Sequence, residues 1–537
     1  MAEKNRKNRR RIGTLDFETD PFKAGRVPRP FAAGVYFNET EKTIIWGLGC
    51  ETVLADYLRE MPDCDLYAHN GGKFDFFYLI PYANKGDIKI INGRIVSMQI
   101  GNVKLIDSYP LMPFPLAAYR KTKIDYKLFE ENRREKHKDK IISYLIDDCR
   151  DLFNLITGFK NIVGNKLTIG SAAMAQIKLT GVKVEKQGKA HDDKFRLFYY
   201  GGRCQCFEVG IFKGRFEYID INSAYPFAML SDHPHGSEYK LSRRFPKQGG
   251  AWFAIVNAVS RGALPVREKD GSLNFPSDNM SHEFYATGHE IRAGLETGTL
   301  DIKKIRAVLI PTRTISFSVF VKTFFKRRAN AKRAKDKIGD LAYKYLVNSG
   351  YGKFAQNGEK FRDYILSGRG EYLEGYDLEG DFGDLSLWSC PAPDDRGYYD
   401  VATGASITGQ VRATLWRALC ATTRPLYCDT DSIICERGNV KFSDKLGAWK
   451  LEGNPHLVAL AGKKLYAVRG RKFEKIACKG VRLTFADILS IARGEARTWI
   501  NDAPAFSLKN KPVFTKRKIV VKGLKMVAKR RKRVSTD

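Results

Sequence analysis

Asp429 and Asp431 stand one residue apart in the run Tyr427-Cys-Asp-Thr-Asp-Ser432, between the apolar stretches 425–428 and 433–435. The pattern predicts a β-hairpin with both acids at its turn. Residues i and i+2 of a strand share a face, and at a tight turn both can converge on one divalent ion. Mg²⁺ is commonly held by one or two carboxylates completed by substrate phosphates. Asp-Thr-Asp is also ordinary turn chemistry, so its weight comes from its company. Asp220 closes an alternating run that begins at Phe216, and Asn222, Ser223 and Pro226 break the strand behind it. The backbone amides of that turn suit a triphosphate. Asp220, Asp429 and Asp431 together make a carboxylate set for two metals about 3.5–4 Å apart, able to activate a hydroxyl and neutralise a leaving pyrophosphate. Lys344, Asn348 and Tyr351 fall at i, i+4 and i+7 of a long basic helical pattern. One helical face there offers a cation for phosphate, an amide, and a ring to stack on a base.

A second, separable chemistry lies near the amino terminus. Asp16 and Glu18 alternate in a strand and point the same way. Asn70 and Asp75 flank a Gly-Gly turn, and Tyr144 and Asp148 lie at i and i+4 of a helical pattern. Four carboxylates and a tyrosine suit two-metal hydrolysis of a phosphodiester.

The order Asp220–Pro226 (DINSAYP), Lys344–Gly352 (KYLVNSGYG) and Tyr427–Ser432 (YCDTDS) resembles the A, B and C motifs of family B DNA polymerases. It is most similar to the protein-primed phage branch, on its tectivirus-like side, and the amino-terminal set resembles the three motifs of DnaQ-like 3′–5′ exonucleases. The resemblance implies a multi-domain α/β fold: an RNase H-like exonuclease domain and a right-hand polymerase of palm, fingers and thumb, with two terminal-protein-region insertions. It further implies roles for single residues. Asp220 and Asp431 would hold both metals while Asp429 supports them, and Tyr225 would exclude a ribose 2′-hydroxyl. Lys332 would join Lys344 on the triphosphate, although helical phase with Lys344 favours Arg333 or Lys337. Tyr199, Gly201 and Gly202 match the YxGG element that links the two halves. Thr408 and Arg412 match a template-binding Tx2GR element, with Val411 where a small residue is usual. Lys464 and Tyr466 match the KxY element that holds the primer terminus. In the exonuclease, Asp16, Glu18, Asp75 and Asp148 would bind metal and Tyr144 would orient water. Asn70, Ser108 and Tyr109 would bind the frayed primer strand. The second exonuclease motif has one more glycine than in some relatives. Lys121 falls where the family places an assisting lysine, with Lys123 as the alternative.

These residues must be positioned by elements spread over 537 residues, enough for several cored domains. The expected spans are an exonuclease domain at 1–165, palm at 166–230 and 401–483, fingers at 313–354 and thumb at 484–537. The two insertions are expected at 231–312 and 355–400; the second is Gly-rich and locally acidic, which suggests a tunnel guard that does not grip phosphate. The 92 Lys+Arg against 60 Asp+Glu leave a net charge of +32, which favours a polyanionic partner and salt-sensitive binding. Ten cysteines without a C-x-x-C pair point to reduced thiols. The basic start lacks the apolar run of a secretory signal and no stretch marks a membrane span, so a cytoplasmic protein is expected, in the host cytoplasm for a phage enzyme.

The expectation is a DNA-directed DNA polymerase with a proofreading exonuclease and strand displacement, monomeric, with two Mg²⁺ ions (or Mn²⁺) per active site. Its partners would be template-primer and displaced single-stranded DNA, dNTPs, a terminal-protein primer and a single-stranded-DNA-binding protein. The alternatives are a family B polymerase extending nucleic-acid primers, and a non-catalytic DNA-binding or terminal protein.

Overall fold

The computed structural model describes residues 10–22, 27–120, 122–393, 398–501, 506–509 and 517–522. They form two compact units: one from residues within 1–189, 319–399 and 502–516, the other from residues within 190–318, 400–501 and 517–537. The basic ends and Lys121 lie outside the described residues.

A seven-stranded mixed sheet organises the first unit, in the order Glu41–Trp46, Pro30–Asn38, Arg11–Thr19, Cys64–Ala68, Val103–Asp107, Arg94–Ile100 and Lys89–Ile91. Arg11–Thr19 runs parallel to Cys64–Ala68, which runs parallel to Val103–Asp107; the outer pairings are antiparallel. Helix Lys138–Val163 turns Ile141, Leu145, Leu152, Ile156 and Phe159 inward at helical spacing. It approaches so closely that a Cβ on Gly34 would stand 3.0 Å from Leu145. Truncating a leucine packed this way typically costs about 2–5 kcal/mol.

Residues 318–354 form two helices, where the sequence pattern suggests one. Ser318–Arg333 ends, Lys335 takes φ 56°, and Lys337–Phe354 begins, with the Asp336 carboxylate accepting from the Gly339 amide at 2.9 Å. The helical-phase argument relating Arg333 and Lys337 to Lys344 therefore fails for Arg333, which sits on another helix. The acidic insertion is an ordered antiparallel sheet of Arg362–Gly368, Asp377–Phe382 and Leu385–Pro391, extended by Gly86–Asp87. Its acids are matched locally: Asp377 with Arg362 (2.5 Å), Glu371 with Lys85 (2.5 Å) and Asp381 with the Ser386 hydroxyl (2.7 Å). These three acids thus also fasten the sheet locally.

In the second unit, an antiparallel sheet runs Cys204–Cys206, Thr423–Asp429, Ser432–Arg437, Glu217–Ile221, Trp449–Gly453. A second sheet joins Gly210–Lys213, Leu457–Gly462, Leu465–Arg469 and Glu474–Cys478; a third joins His233–Ser242, Leu300–Ile315, Phe253–Ser260 and Ser281–Thr287. Leu300–Ile315 carries unbroken through the expected boundary at 312, because its hydrogen bonds to His233–Ser242 continue to Ile315; the helices begin only at Ser318. The expected thumb is not one piece either. Phe485–Ala492 and the paired strands Arg497–Asn501 and Arg517–Val521 belong to the second unit, whereas Phe506 packs in the first, its ring stacked 5.0 Å from Phe77.

Asp336→Ala removes the cap of helix Lys337–Phe354, so the first unit should lose about 1 kcal/mol of stability, read as a lower urea midpoint for the helical signal.

Candidate active sites

Register builds the first site. Asp429 pairs with Ser432, which leaves Thr430 and Asp431 as a two-residue turn, and Asp220 on the flanking strand also stands opposite Ser432. The Ile221 amide donates to the Asp431 carbonyl at 2.8 Å. Ile221 and Asp431, 210 positions apart in the chain, are thus backbone neighbours. Burial, then the charge of Asp431, then that of Glu452 push the Asp220 carboxyl up to about 7; burial, then Asp429, push Asp431 up to about 6. Lys450, Lys464 and Lys475 act the other way and do not win. Among the described residues no three His, Cys, Asp or Glu side chains form a closed metal cage. Mg²⁺ needs none, since one or two carboxylates plus phosphate oxygens suffice, and the oxygen-only donors of Asp220 and Asp431 fit a hard cation.

Asp429 is differently placed. Lys464 Nζ lies 3.0 Å from one of its oxygens, the Thr430 hydroxyl donates at 3.1 Å and the Tyr427 hydroxyl at 3.4 Å. Tyr466 is buried, its ring 4.7 Å from Tyr427, so it braces the hairpin and is not presented to a primer strand. Tyr225 is half-buried on the short helix Ala224–Ala228 that follows Asp220. Sequence reasoning passed over Glu452 and Lys475, whose charges bear on Asp220 from the neighbouring strand and sheet. The alternation of Lys450 and Glu452 was the available signal for one of them.

The Tx2GR residues are corrected outright. Thr408 is 1% and Arg412 2% exposed, so neither can reach a template. Arg412 donates to Glu290 at 2.7 Å and to the carbonyls of Tyr200 and Gly201, the latter at 2.8 Å. It ties the Tyr199–Gly202 segment to helix Gly288–Glu296, with Val411 packed in the same core. Tyr199 stays half-buried, facing the charges of Arg412, Arg196 and Arg267. Gly201 is half-buried beside it, and Gly202 lies against the hairpin of Asp429 and Asp431, where a Cβ would come within 2.7 Å of the Thr430 hydroxyl.

In the first unit, Asp16 and Glu18 share strand Arg11–Thr19, Asp75 opens helix Asp75–Leu79, and Asp148 comes from helix Lys138–Val163. Burial raises Asp16 far above the carboxylate range, reinforced by Asp75, Glu18 and Asp148; Glu18 is raised by burial, Asp148 and Asp75. Burial takes Asp75 up to about 7. One oxygen each of Glu18 and Asp75 is buried without a hydrogen-bond partner, a large cost unless a cation completes them. Burial also raises the Tyr144 hydroxyl; it meets Tyr126 at 3.3 Å and feels Asp148 and Glu18. Asn70 takes φ 64° just before the turn Gly71–Lys73. Gly72 explains the second glycine of the motif: a Cβ there would overlap the Ile95 carbonyl at 1.8 Å and crowd Asp107 at 2.8 Å. Asp107, which heads the Asp107-Ser108-Tyr109 run expected to bind the frayed primer strand, pairs with Arg94 at 2.6 Å and adds its charge to Asp75. Ser108 is fully buried with its hydroxyl 2.9 Å from His69, so it positions that ring and cannot touch DNA. Tyr109 is half-buried under the Arg94 guanidinium, 4.6 Å from its ring centroid. The alternative to Lys121, Lys123, is exposed.

On helix Lys337–Phe354, Lys344 is exposed, Asn348 is half-buried and donates to the Lys344 carbonyl at 2.7 Å, and Tyr351 is half-buried. Lys337 is engaged with the Tyr119 carbonyl and Arg333 with Asn330, whereas Lys332 makes no side-chain hydrogen bond or ion pair among the described residues. No helix among the described residues is long and apolar enough to cross a membrane.

Two outcomes follow from the geometry. Gly72→Ala should abolish the chemistry of the first-unit carboxylates and spare that of the second unit, measured as separate activities on one preparation. Asp220, raised in the native state, holds a proton that the unfolded chain releases near pH 4. Its stabilising contribution is therefore full at low pH and lost as pH rises through about 7. Thermal melts in chelator should fall over that window more steeply in the wild type than in Asp220→Asn, and added Mg²⁺ should reduce the difference.

A family model described as DNA polymerase type B, organellar and viral, matches residues 63–381. The chain is 40% identical over 548 residues to the DNA-directed DNA polymerase of Enterobacteria phage PRD1, spanning 95% of this chain and 98% of that one. A probable DNA polymerase of Agaricus bitorquis is 25% identical over 463 residues, 67% of this chain and 56% of that protein. Among solved structures, phi29 DNA polymerase complexed with primer-template DNA matches with a TM-score of 0.72 at 18% identity, over 96% of this chain and 100% of that one.

Proposed function

The chain belongs to the type B DNA polymerases of organelles and viruses, and from that premise we propose that it copies a linear phage-type genome from a terminal-protein primer and proofreads with a 3′–5′ exonuclease. Its fold is the multi-domain α/β arrangement that the motifs implied. The observation that carries the reading is the meeting of Asp220, on strand Glu217–Ile221, with Asp431, in the turn of the adjoining hairpin, each held above the ordinary carboxylate range.

Divalent metal bound there would supply charge neutralisation and activation of the 3′-hydroxyl for in-line phosphoryl transfer. Asp220 and Asp431 hold it, while Asp429 is restrained by Lys464 and shapes the turn. We assign triphosphate contact to Lys332 and Lys344, the nascent pair to Asn348 and Tyr351, and sugar selection to Tyr225. Tyr199, Gly201, Gly202 and Lys464 are assigned to the primer-template strand. Lys464 would exchange Asp429 for a primer phosphate, a trade between two anions of one cation. In the exonuclease, Asp16, Glu18, Asp75 and Asp148 hold metal, Tyr144 orients water, and Asn70 and Tyr109 receive the frayed strand. Lys121 keeps its assisting role as a proposal.

DNA, dNTPs, a terminal protein and a single-stranded-DNA-binding protein are the proposed partners of a monomer in the host cytoplasm, with Mg²⁺ or Mn²⁺ as the metal. Support for protein priming comes from the motif order and the 40% identity to the phage PRD1 polymerase. Transfer of a dNMP onto a terminal-protein hydroxyl without any oligonucleotide tests it; extension of oligonucleotide primers alone would leave the nucleic-acid-primed alternative. Asp431→Ala should cut incorporation by on the order of 10³ or more and leave the exonuclease intact. Asp16→Ala should do the reverse. Incorporation that survives Asp431→Ala would remove the assignment.

A further inference from the structure

We propose that Arg203, outside every motif identified in the sequence, is a positioning residue that sets the metal-binding turn; the inference rests on the reading of Asp220 and Asp431 as metal ligands. The turn carries strain. Thr430 adopts φ 62°, where a β-branched side chain crowds its own backbone, and such residues persist only where the surroundings over-determine them. Residues 202 and 203 supply that constraint. The Thr430 amide donates to the Arg203 carbonyl at 2.6 Å, and Gly202 is packed against the Thr430 side chain. The Thr430 hydroxyl in turn donates to Asp429, and the next residue is Asp431.

A carbonyl can hold the turn only if it cannot move, and the Arg203 side chain immobilises it. Arg203 is 2% exposed and has no acidic partner among the described residues. It donates to the Gly262 carbonyl at 2.7 Å and twice to Gln205, at 3.0 and 2.6 Å. Its guanidinium sits 4.1 Å from the Phe275 ring centroid and 4.4 Å from that of Trp416. Trp416 is fixed in its turn by an indole hydrogen bond of 2.9 Å to Thr299. Burying a cation without a counter-ion is costly, and burial lowers its pKa to about 10. A planar fork can donate to Gly262 and Gln205 while its flat face lies on the two rings; the ammonium of lysine is a compact point charge without that plane or fork. Arg203 thus connects the catalytic turn to helix Val401–Ala421 and to residues 262–275. If that anchor is released, Thr430 can relax to negative φ and carry Asp431 away from Ile221 and Asp220.

The test uses Arg203→Met in the full chain. The Mg²⁺ concentration for half-maximal nucleotide incorporation should rise roughly tenfold, as for other residues that orient metal ligands, while degradation of single-stranded DNA stays at the wild-type level. Hydrogen–deuterium exchange in metal-free protein should show the amides of Thr430 and Ile221 losing protection while strand Arg11–Thr19 keeps its own. An unchanged metal requirement with unchanged exchange would overturn the proposal. So would parallel loss of incorporation and exonuclease at the wild-type metal requirement, which marks a general stabiliser. Should Arg203→Met not fold, Gln205→Leu removes one acceptor and is read the same way. Asp431→Ala separates the premise from the inference. Incorporation that survives it sinks the metal reading and this proposal together; an inactive Asp431→Ala beside a wild-type-like Arg203→Met sinks only the role of Arg203.

Discussion

Carboxylates buried beside one another repel, and each would rather hold a proton than a charge. The protein forces this twice. In the second unit three lysines lower the cost of ionising Asp220 and Asp431, yet burial and mutual repulsion still hold both acids above their ordinary range. In the first unit buried Glu18 and Asp75 stand with half-buried Asp16 and Asp148, and one oxygen each of Glu18 and Asp75 lacks any hydrogen bond. Neither arrangement serves folding. A bound divalent cation would offset that cost, and without one the surrounding packing must supply the stability that the sites withhold.

That packing works through the backbone more than through side chains. Asp220 and Asp431 are neighbours because two strands pair in one register, with the Ile221 amide on the Asp431 carbonyl. A one-residue slip would turn Asp220 to the opposite face of the sheet. Close approaches near the acids are made at glycine: Gly202 beside Thr430, and Gly72 beneath Ile95 and Asp107. On Gly202 a methyl group would meet the Thr430 side chain in the turn that carries Asp431, and on Gly72, three residues before Asp75, it would meet the Ile95 carbonyl.

Much of this was legible in the amino-acid order, and what was not has a common cause. Alternation located strands Arg11–Thr19 and Glu217–Ile221, and the apolar runs around Asp429 and Asp431 located the hairpin, because periodicity reports local geometry. The hydroxyl of Tyr144 facing Asp148 follows from i, i+4 spacing. Spacing does not report which way a residue faces once long-range contacts form. Arg412, Thr408, Ser108 and Tyr466 all sit in motifs, yet the fold turns them inward: Arg412, Ser108 and Tyr466 tie segments distant in sequence, and Thr408 bonds within its own helix. The break at Lys335 was masked by strong helix formers on both sides, and only Asp336, a good capping residue, signalled it. The inward turn of Phe506 had no local signal, since its partners Phe74, Phe77 and Tyr78 are more than 400 residues away.

The balance of charge separates the two kinds of acid in this chain. With a net charge of +32, basic partners are plentiful, and acids with structural duties have them. Glu290 has Arg412, Asp107 has Arg94, Asp340 has Arg328, Asp377 has Arg362, and Asp400 has His191 and His235. Where cations are in excess, a buried carboxylate oxygen that none of them reaches is hard to explain by folding alone. Glu18 and Asp75 have such oxygens, and Asp220 stays near neutrality despite two lysines acting on it. Asp429, which Lys464 does satisfy, falls on the structural side of the division. The same excess of positive charge that suits the chain to a polyanion thus leaves Glu18, Asp75 and Asp220 conspicuous, because they are acids that the surrounding counter-charge does not satisfy.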